Sequence, residues 1–349
     1  MGKMKKKTLK MALCSIMSAV MLASVIDPVR AAEEPSWKTD MKDHWNFDSL
    51  QSDQGEKTTA TLNGISIVDS KNPVFGNVLR FGGGTDKYLK LENYINTGKD
   101  ATSFSMWYRY DTKITGDGAD KSAVLLQHED DGRSLLTLQA SGQYNTYINA
   151  QNVASNKAVQ KGDWQHVTVV FDQAKNEVTY YINGELDSTK NMGTSKVNKK
   201  LSLRLGAHKT AGNTDPHPMR GDVDEFYVYE KALTADEAKA IYEDKATELY
   251  NQELKKLVKE GKEVIENQKL PEDNEKAKQL KEALKKAEDA TTLDEMKAAY
   301  TALEKAIAEY EAEVPVKLSI DTEKTIQTIE PDSIFGINHR YAFNGYGTF

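Results

Sequence analysis

The sequence predicts an all-β jelly-roll sandwich followed by an α-helical three-helix bundle. Two observations predict this order. Residues 42–230 contain short segments rich in β-branched and aromatic residues, separated by turn-forming dipeptides. Residues 234–314 contain neither Trp nor Phe, only one glycine (Gly261) and one proline (Pro271), and many charged residues, which is typical of long solvated helices.

The composition of the whole chain excludes several classes of protein. The chain has 349 residues, 39% of them apolar, with a net charge of −7 and a mean hydropathy of −0.63. This length suggests two or three domains, and this hydropathy excludes a polytopic membrane protein. The acidic balance does not favour a nucleic-acid partner, and we expect a monomer.

Residues 1–31 are predicted to be a secretory signal peptide. Several lysines precede the apolar segment at 11–26, and Val29-Arg30-Ala31 supplies a small-residue cleavage site. The alternative is a membrane anchor, but serines interrupt the segment, and a span needs about 20 apolar residues. We therefore expect a secreted protein, extracellular or at the cell surface, with no membrane span after cleavage.

The only cysteine, Cys14, lies inside the predicted signal peptide. The mature chain would then contain none. The absence of cysteine from the mature chain excludes a disulfide framework, a thiol nucleophile and a cysteine-ligated zinc site.

Eight segments of the first region are predicted strands because they are rich in β-branched or aromatic residues. Asn183-Gly184 and Asp131-Gly132 suit the tight turns of hairpins. Many strands without intervening helices indicate two packed sheets. The predicted strands are 101–110, 122–127, 134–139, 144–149, 165–172, 177–182, 201–205 and 223–229.

Alternation along two of these strands identifies candidate ligand-binding residues. Trp164 and His166 share one face of one strand, and Trp107 and Arg109 share the less apolar face of another. Aromatic rings can cover the C–H faces of a sugar while polar side chains bind its hydroxyl groups. The alternative is that Trp107 and Trp164 are packing residues, since a strand Trp is usually structural.

Four separated motifs resemble the laminin-G-like, concanavalin A-like jelly roll found as an accessory module in secreted bacterial proteins. The resemblance covers residues 41–243, and we assign the module to residues 41–245. It implies a β-sandwich that binds carbohydrate or another ligand, often with bound calcium. The motifs are Trp45-Asn46-Phe47-Asp48, Phe104-Ser105-Met106-Trp107, Trp164-Gln165-His166-Val167 with Tyr181-Ile182-Asn183-Gly184, and Gly221-Asp222-Val223-Asp224-Glu225-Phe226.

The same resemblance implies a structural Ca²⁺ site. Asp48 and Asp224 match acidic positions of the family's pattern. Calcium takes six to eight oxygen ligands from carboxylates, carbonyls and water. The alternative is that these acids are solvated or cap turns.

Residues 246–314 are predicted to form a helical spacer bundle. Thr234 and Thr292 each begin a Thr-x-x-Glu capping box, and a third helix start is predicted near Pro271. Apolar residues at spacings of three and four, including Tyr300 and Tyr310, indicate one buried stripe on each helix. The region resembles the small three-helix repeats of large Gram-positive extracellular glycosidases and surface proteins.

Residues 315–349 are predicted to be the truncated start of a catalytic barrel. Residues 333–341 resemble the first strand of the (β/α)₈ barrel of retaining glycoside hydrolases related to α-L-arabinofuranosidases. A complete barrel needs about 250 residues. Glycoside hydrolysis needs two carboxylates from later strands, so no catalytic residue is assigned in this chain.

Together these predictions favour a carbohydrate-binding accessory region of a secreted bacterial glycoside hydrolase, which tethers the enzyme to a polysaccharide or other glycan. The alternative is a non-enzymatic extracellular adhesion module that binds a host glycan or protein. A third is a jelly roll without a ligand that only packs against its neighbours.

Overall fold

The computed structural model describes residues 34–53, 58–84, 86–92, 100–112, 122–129, 134–148, 151–193, 202–207, 217–267 and 270–314. The predicted signal peptide and the predicted barrel start at 315–349 lie outside these residues. Among the described helices, none combines the length and the apolar character that a membrane span requires.

Two antiparallel sheets form a jelly-roll sandwich. One sheet has the order β13-β12-β11-β6-β15-β4-β3, with β1 also paired to β15, and the other has the order β10-β9-β8-β7-β14-β5-β2. The strands are β1 (Asp43–Trp45), β2 (Thr59–Asn63), β3 (Ser66–Asp69), β4 (Asn77–Gly82), β5 (Tyr88–Glu92), β6 (Ala101–Tyr110), β7 (Ala123–His128), β8 (Ser134–Leu138), β9 (Gln143–Ile148), β10 (Gln151–Ala158), β11 (Trp164–Asp172), β12 (Glu177–Ile182), β13 (Glu185–Asn191), β14 (Leu203–Leu205) and β15 (Arg220–Tyr229).

The eight predicted strands correspond to β6, β7, β8, β9, β11, β12, β14 and β15. The pattern missed the strands before residue 93, as well as β10 and β13. Strands β10 and β13 are the edges of their sheets at the same side of the sandwich, and both are rich in polar residues. A polar edge strand carries little hydrophobic alternation, so its signal in the sequence is weak.

The core lies between the two sheets, as the alternation predicted. Val167, Val169 and Phe171 of β11 are fully buried there, beside Phe104 and Met106 of β6. The opposite faces of these two strands are therefore on the outside of the sandwich, where the candidate ligand-binding residues lie.

The described residues also form four helices: α1 (Ser36–Thr39), α2 (Ala235–Asn267), α3 (Glu275–Asp289) and α4 (Leu293–Glu313). Both capping boxes are present, since Glu237 bonds reciprocally with Thr234, and Glu295 does so with Thr292. The third predicted start was placed too early, because the Asn274 side chain accepts hydrogen bonds from the first N–H groups of α3.

Helix α2 belongs to both parts of the molecule. Its first half packs on the outer face of the eight-stranded sheet, with Ile241 and Tyr242 buried there. Its second half packs against α3 and α4 through Leu254 and Leu257. The predicted domain boundary between residues 245 and 246 lies inside this helix, which continues across it without a break.

Candidate functional site

The pairing of β6 with β11 brings the four predicted ligand-binding residues together on the outer face of the eight-stranded sheet. Trp164 lies opposite Arg109 in the ladder, and His166 lies opposite Trp107. Side chains on one face of adjacent strands are direct neighbours when they are opposite each other. The strand patterns predicted the faces on which these residues lie, but not that β6 and β11 are neighbours.

Two members of the cluster are covered by helix α2. Trp107 is 2% exposed, and its ring stacks on Tyr242 with 5.4 Å between the centroids. The ring of His166 is also buried, and its Nε2 lies 2.8 Å from the Ser105 hydroxyl. Burial lowers the pKa of His166 to about 3, against the opposing charge of Glu225, so this imidazole is neutral at pH 7. The packing of Trp107 and His166 thus helps to seat the helix.

The other two members remain partly accessible. Trp164 is half-buried and stacks on Phe75 with ring centroids 3.8 Å apart. The Arg109 guanidinium lies 5.9 Å from the Trp164 ring and donates a 2.6 Å hydrogen bond to Asp222. An arginine over an indole ring adds a cation–π attraction, which fixes the relative position of the two side chains.

Trp164 and Arg109 border a cleft of about 680 Å³ between the sandwich and the helices. This volume lies in the range of about 300–1,000 Å³ typical of small-molecule sites. The sandwich side of its lining is formed by Ser70, Lys71, Asn72, Trp107, Arg109, Gly162, Asp163, Trp164, Gln165 and Asn183, and the helix side by Tyr242, Leu249, Tyr250, Glu253 and Tyr300.

Sequence reasoning missed the helix side of this cleft. The apolar stripe predicted Tyr300 and Tyr310 as bundle core, and Tyr310 is indeed 1% exposed inside the bundle. Tyr300 is only half-buried and lines the cleft. Its place in the sequence carries no signal for this, because the cleft depends on how the bundle lies against the sheet.

A tight turn positions one amide of the lining. Asn183 and Gly184 both have positive φ angles, of 50° and 78°, as the Asn-Gly dipeptide predicted. The Asn183 Oδ1 accepts a 2.8 Å hydrogen bond from the His166 N–H, and its Nδ2 donates a 3.0 Å bond to Gln165. These bonds hold the Asn183 and Gln165 amides together at the rim of the cleft.

The predicted calcium ligands lie near enough for the charge of Asp48 to act on Asp224. Asp224 lies in β15, where a bulge inserts Asp224 and Glu225 between two core residues. The Asp224 carboxylate is 1% exposed, and neither of its oxygens has a hydrogen-bond partner. Burial raises the pKa of Asp224 to about 9, and the charges of Glu225 and of the exposed Asp48 raise it further, against the Glu225 N–H and the charge of Lys245.

Neighbouring Glu225 contrasts with Asp224, because it is fully engaged. Its carboxylate lies 2.7 Å from His44 Nε2 and 2.7 Å from Lys245 Nζ, and it accepts a 2.6 Å hydrogen bond from the Tyr227 hydroxyl. Burial opposes ionisation here, but His44 and Lys245 hold the pKa of Glu225 at about 2. Glu225 is thus an ion-pairing residue that links β1, β15 and α2.

The surroundings of Asp224 suit a cation. A buried carboxylate without a partner is costly, and a bound cation would compensate it. Within the described residues, no three His, Cys, Asp or Glu side chains are grouped as a metal site. An ion held by Asp48 and Asp224 would therefore need backbone carbonyls and water as its other ligands, which calcium accepts.

The comparisons with known proteins agree with the observed architecture. Residues 82–239 match the family model of the concanavalin A-like lectin/glucanases superfamily. Comparison with curated protein sequences finds no significant match.

Many solved structures resemble this chain at low identity. They include the binding domain of Paraclostridial Mosquitocidal Protein 1 (17% identity, 60% of this chain, 53% of that chain, TM-score 0.47). Another is the botulinum neurotoxin serotype D binding domain (13% identity, 59% of this chain, 51% of that chain, TM-score 0.46). A third is domain 4 of AbnA, a GH43 extracellular arabinanase from Geobacillus stearothermophilus, in complex with arabinotriose (18% identity, 58% of this chain, 98% of that chain, TM-score 0.44). The matches span about half the length of the two toxin domains. Residues 82–239 thus resemble that superfamily, and the two antiparallel sheets form a jelly-roll sandwich.

Proposed function

We propose that this chain is a carbohydrate-binding accessory region of a secreted bacterial glycoside hydrolase, and that the cleft beside Trp164 binds the glycan. The observation that carries the proposal is the lining of this cleft, which combines aromatic rings with amide side chains. Sugars present both C–H faces, which pack on aromatic rings, and hydroxyl groups, which bond to amides and charged groups.

The aromatic and amide residues of the lining would bind different parts of the sugar. Trp164 supplies an indole ring that is held in place by Phe75 on one side. Asn183 and Gln165 supply amides whose orientation is fixed by their mutual hydrogen bond. Such preorganisation lowers the entropy cost of binding, because few rotamers need to be fixed when the ligand arrives.

A glycan array with the full chain tests this proposal. We expect retention of one polysaccharide class by the wild type and loss of retention by Trp164→Ala and by Gln165→Ala. The second variant guards against a folding defect, because Trp164 packs on Phe75 whereas Gln165 lies at the rim. Tyr147→Ala is the matched control, since Tyr147 is 44% exposed on the other sheet. A wild type that retains no glycan would overturn the proposal and favour a protein ligand.

We also propose a structural calcium ion held by Asp48 and Asp224. The unpartnered, buried carboxylate of Asp224 supports it. A ligand that binds only the folded state raises the melting temperature, so chelation by EDTA should lower it and added Ca²⁺ should restore it. Asp224→Asn should remove this dependence, whereas Asp236→Asn, a change at an exposed helix residue, should keep it. If neither EDTA nor added Ca²⁺ changes the melting temperature of the wild type, the calcium site is excluded.

A further inference from the structure

Resting on the carbohydrate function proposed above, we infer that the ligand is an uncharged sugar chain held between two walls, and that helices α2 and α4 supply the second wall. The helical bundle is then part of the binding site and more than a spacer. This assignment goes beyond the jelly roll, because Tyr250, Glu253 and Tyr300 all lie outside the residues that match the family.

Buried contacts with the sandwich fix the position of the helix wall. Tyr242 stacks on Trp107 of the sheet, and Lys245 pairs with Glu225 at 2.7 Å. Leu293, the first residue of α4, is buried in the same cluster as Trp107 and Tyr242. Both helices of the wall therefore contact the sandwich directly, and the distance between the two walls is set by buried packing.

The helix wall presents tyrosine rings and a glutamate to the cleft. Tyr250 and Glu253 are three residues apart in α2, so they lie on the same helix face, and Tyr300 of α4 completes the lining. The Lys297 ammonium lies 5.6 Å from the Tyr250 ring centre. Tyrosine offers an apolar ring and a hydroxyl group, a combination that suits a sugar as well as the indole of Trp164 does.

The charged residues that line the cleft bear on the charge of the ligand. Arg109 pairs with Asp222 at 2.6 Å, a carboxylate that it shares with Arg80. Lys71 pairs with Asp69 at 2.6 Å, and Glu253 pairs with Lys256 at 2.6 Å. The fourth charged lining residue, Asp163, is exposed. The lining thus contains two cations and two anions, so the lining residues themselves hold no excess positive charge for recognising a uronate or a sulfated sugar.

Carboxylates also lie near Tyr300 on the helix wall. The pKa of the Tyr300 phenol is raised by burial first, and then by the nearby charges of Glu304, Glu253 and Glu260. A negatively charged glycan would meet repulsion from these carboxylates, whereas a neutral chain would not. The charge pattern therefore selects uncharged sugars.

Calorimetric titration of the full chain with cellohexaose, xylohexaose, maltohexaose and arabinohexaose tests the inference, with hexagalacturonate as the charged probe. We expect one neutral hexasaccharide to bind, and binding to weaken about tenfold or more in Tyr250→Ala and in Tyr300→Ala, since each removes a stacking ring. Hexagalacturonate should bind more weakly than the neutral chain. Tyr147→Ala is the matched control and should bind as the wild type does.

The outcomes separate the two proposals. If the wild type binds a neutral hexasaccharide and both tyrosine variants bind it equally well, the helix wall is excluded while the carbohydrate function stands. Tighter binding of hexagalacturonate would overturn the choice of an uncharged ligand. If no hexasaccharide binds and the array is also silent, the carbohydrate function itself fails. Tyr300→Phe, which keeps the ring, should retain most of the affinity. The melting temperature of Tyr300→Ala distinguishes the two causes of lost binding, since lost stacking alone leaves it near that of the wild type.

Discussion

Tyr242 of helix α2 lies flat against Trp107 of the sheet, with 5.4 Å between the ring centroids and 20° between the ring planes. The same tyrosine ring also approaches His166, at 5.7 Å between centroids. One side chain of the helix therefore covers two of the residues that the strand pattern placed on the outer face. It is the main aromatic contact between α2 and the sheet among the described residues.

Replacing this ring should destabilise the protein. Tyr242→Ala removes a buried aromatic side chain and leaves a cavity over Trp107, which should cost about 2–4 kcal/mol of the free energy of unfolding. Urea unfolding monitored by circular dichroism would measure it. Tyr147→Ala removes a tyrosine that is 44% exposed and should change stability by less than about 1 kcal/mol. Equal effects of the two variants would show that Tyr242 does not seat the helix.

Gly184 should be sensitive to the addition of a single methyl group. Its φ is +78°, and an added Cβ would lie 2.8 Å from the Tyr242 Cδ1 atom. Gly162 offers a matched control, because its φ is +111° and an added Cβ would meet no atom within 4 Å. Both alanine variants carry backbone strain, but only Gly184→Ala also displaces the tyrosine ring. We expect the lower melting temperature for Gly184→Ala, and the reverse order would contradict the close packing.

Glu237 should make the docking of α2 depend on pH. Burial would raise its pKa, but hydrogen bonds from Lys231, Ser36 and the Thr234 backbone hold that pKa at about 2, below the ordinary 4.5. A lowered pKa of an acid stabilises the fold above pH 4.5, and this stabilisation is lost as the pH falls towards 2.

Glu237→Gln tests this dependence, because glutamine can keep the capping box while it removes the charge. The melting temperature of this variant should be below that of the wild type at pH 7, and the gap should narrow towards pH 2. Asp236→Asn changes an exposed carboxylate in the same helical turn and should give a smaller gap at pH 7. If the difference in melting temperature between Glu237→Gln and the wild type does not change with pH, the stabilising role of the ionised Glu237 is contradicted.

Much of the sandwich could be predicted from local patterns. Alternation in β11 correctly separated Val167 and Phe171, which are core residues, from Trp164 and His166 on the opposite face. The helix starts at Thr234 and Thr292 were predictable because a capping box is a local motif of four residues. These features depend only on residues that are close together in the chain.

The candidate site depends on contacts that no local pattern contains. Trp107 and Tyr242 are far apart in the sequence, and each alone is typical of an ordinary packing residue. A bulge follows Asp224 in β15, and the sequence gives no signal for where a ladder gains an extra residue. Tyr300 was predicted as bundle core because its spacing fits the apolar stripe, and it does pack against that core, but its half-buried side chain also lines the cleft.

The continuity of α2 has a mechanical consequence. A helix of 33 residues is about 50 Å long, and this one is anchored in the sandwich at one end and in the bundle at the other. Tension between the two parts would act on the continuous backbone hydrogen bonds of α2 and on the contact of Leu293 with the sandwich, since no loop interrupts α2 between them. Single-molecule pulling should therefore find a stiff joint, with no soft extension before the first unfolding step.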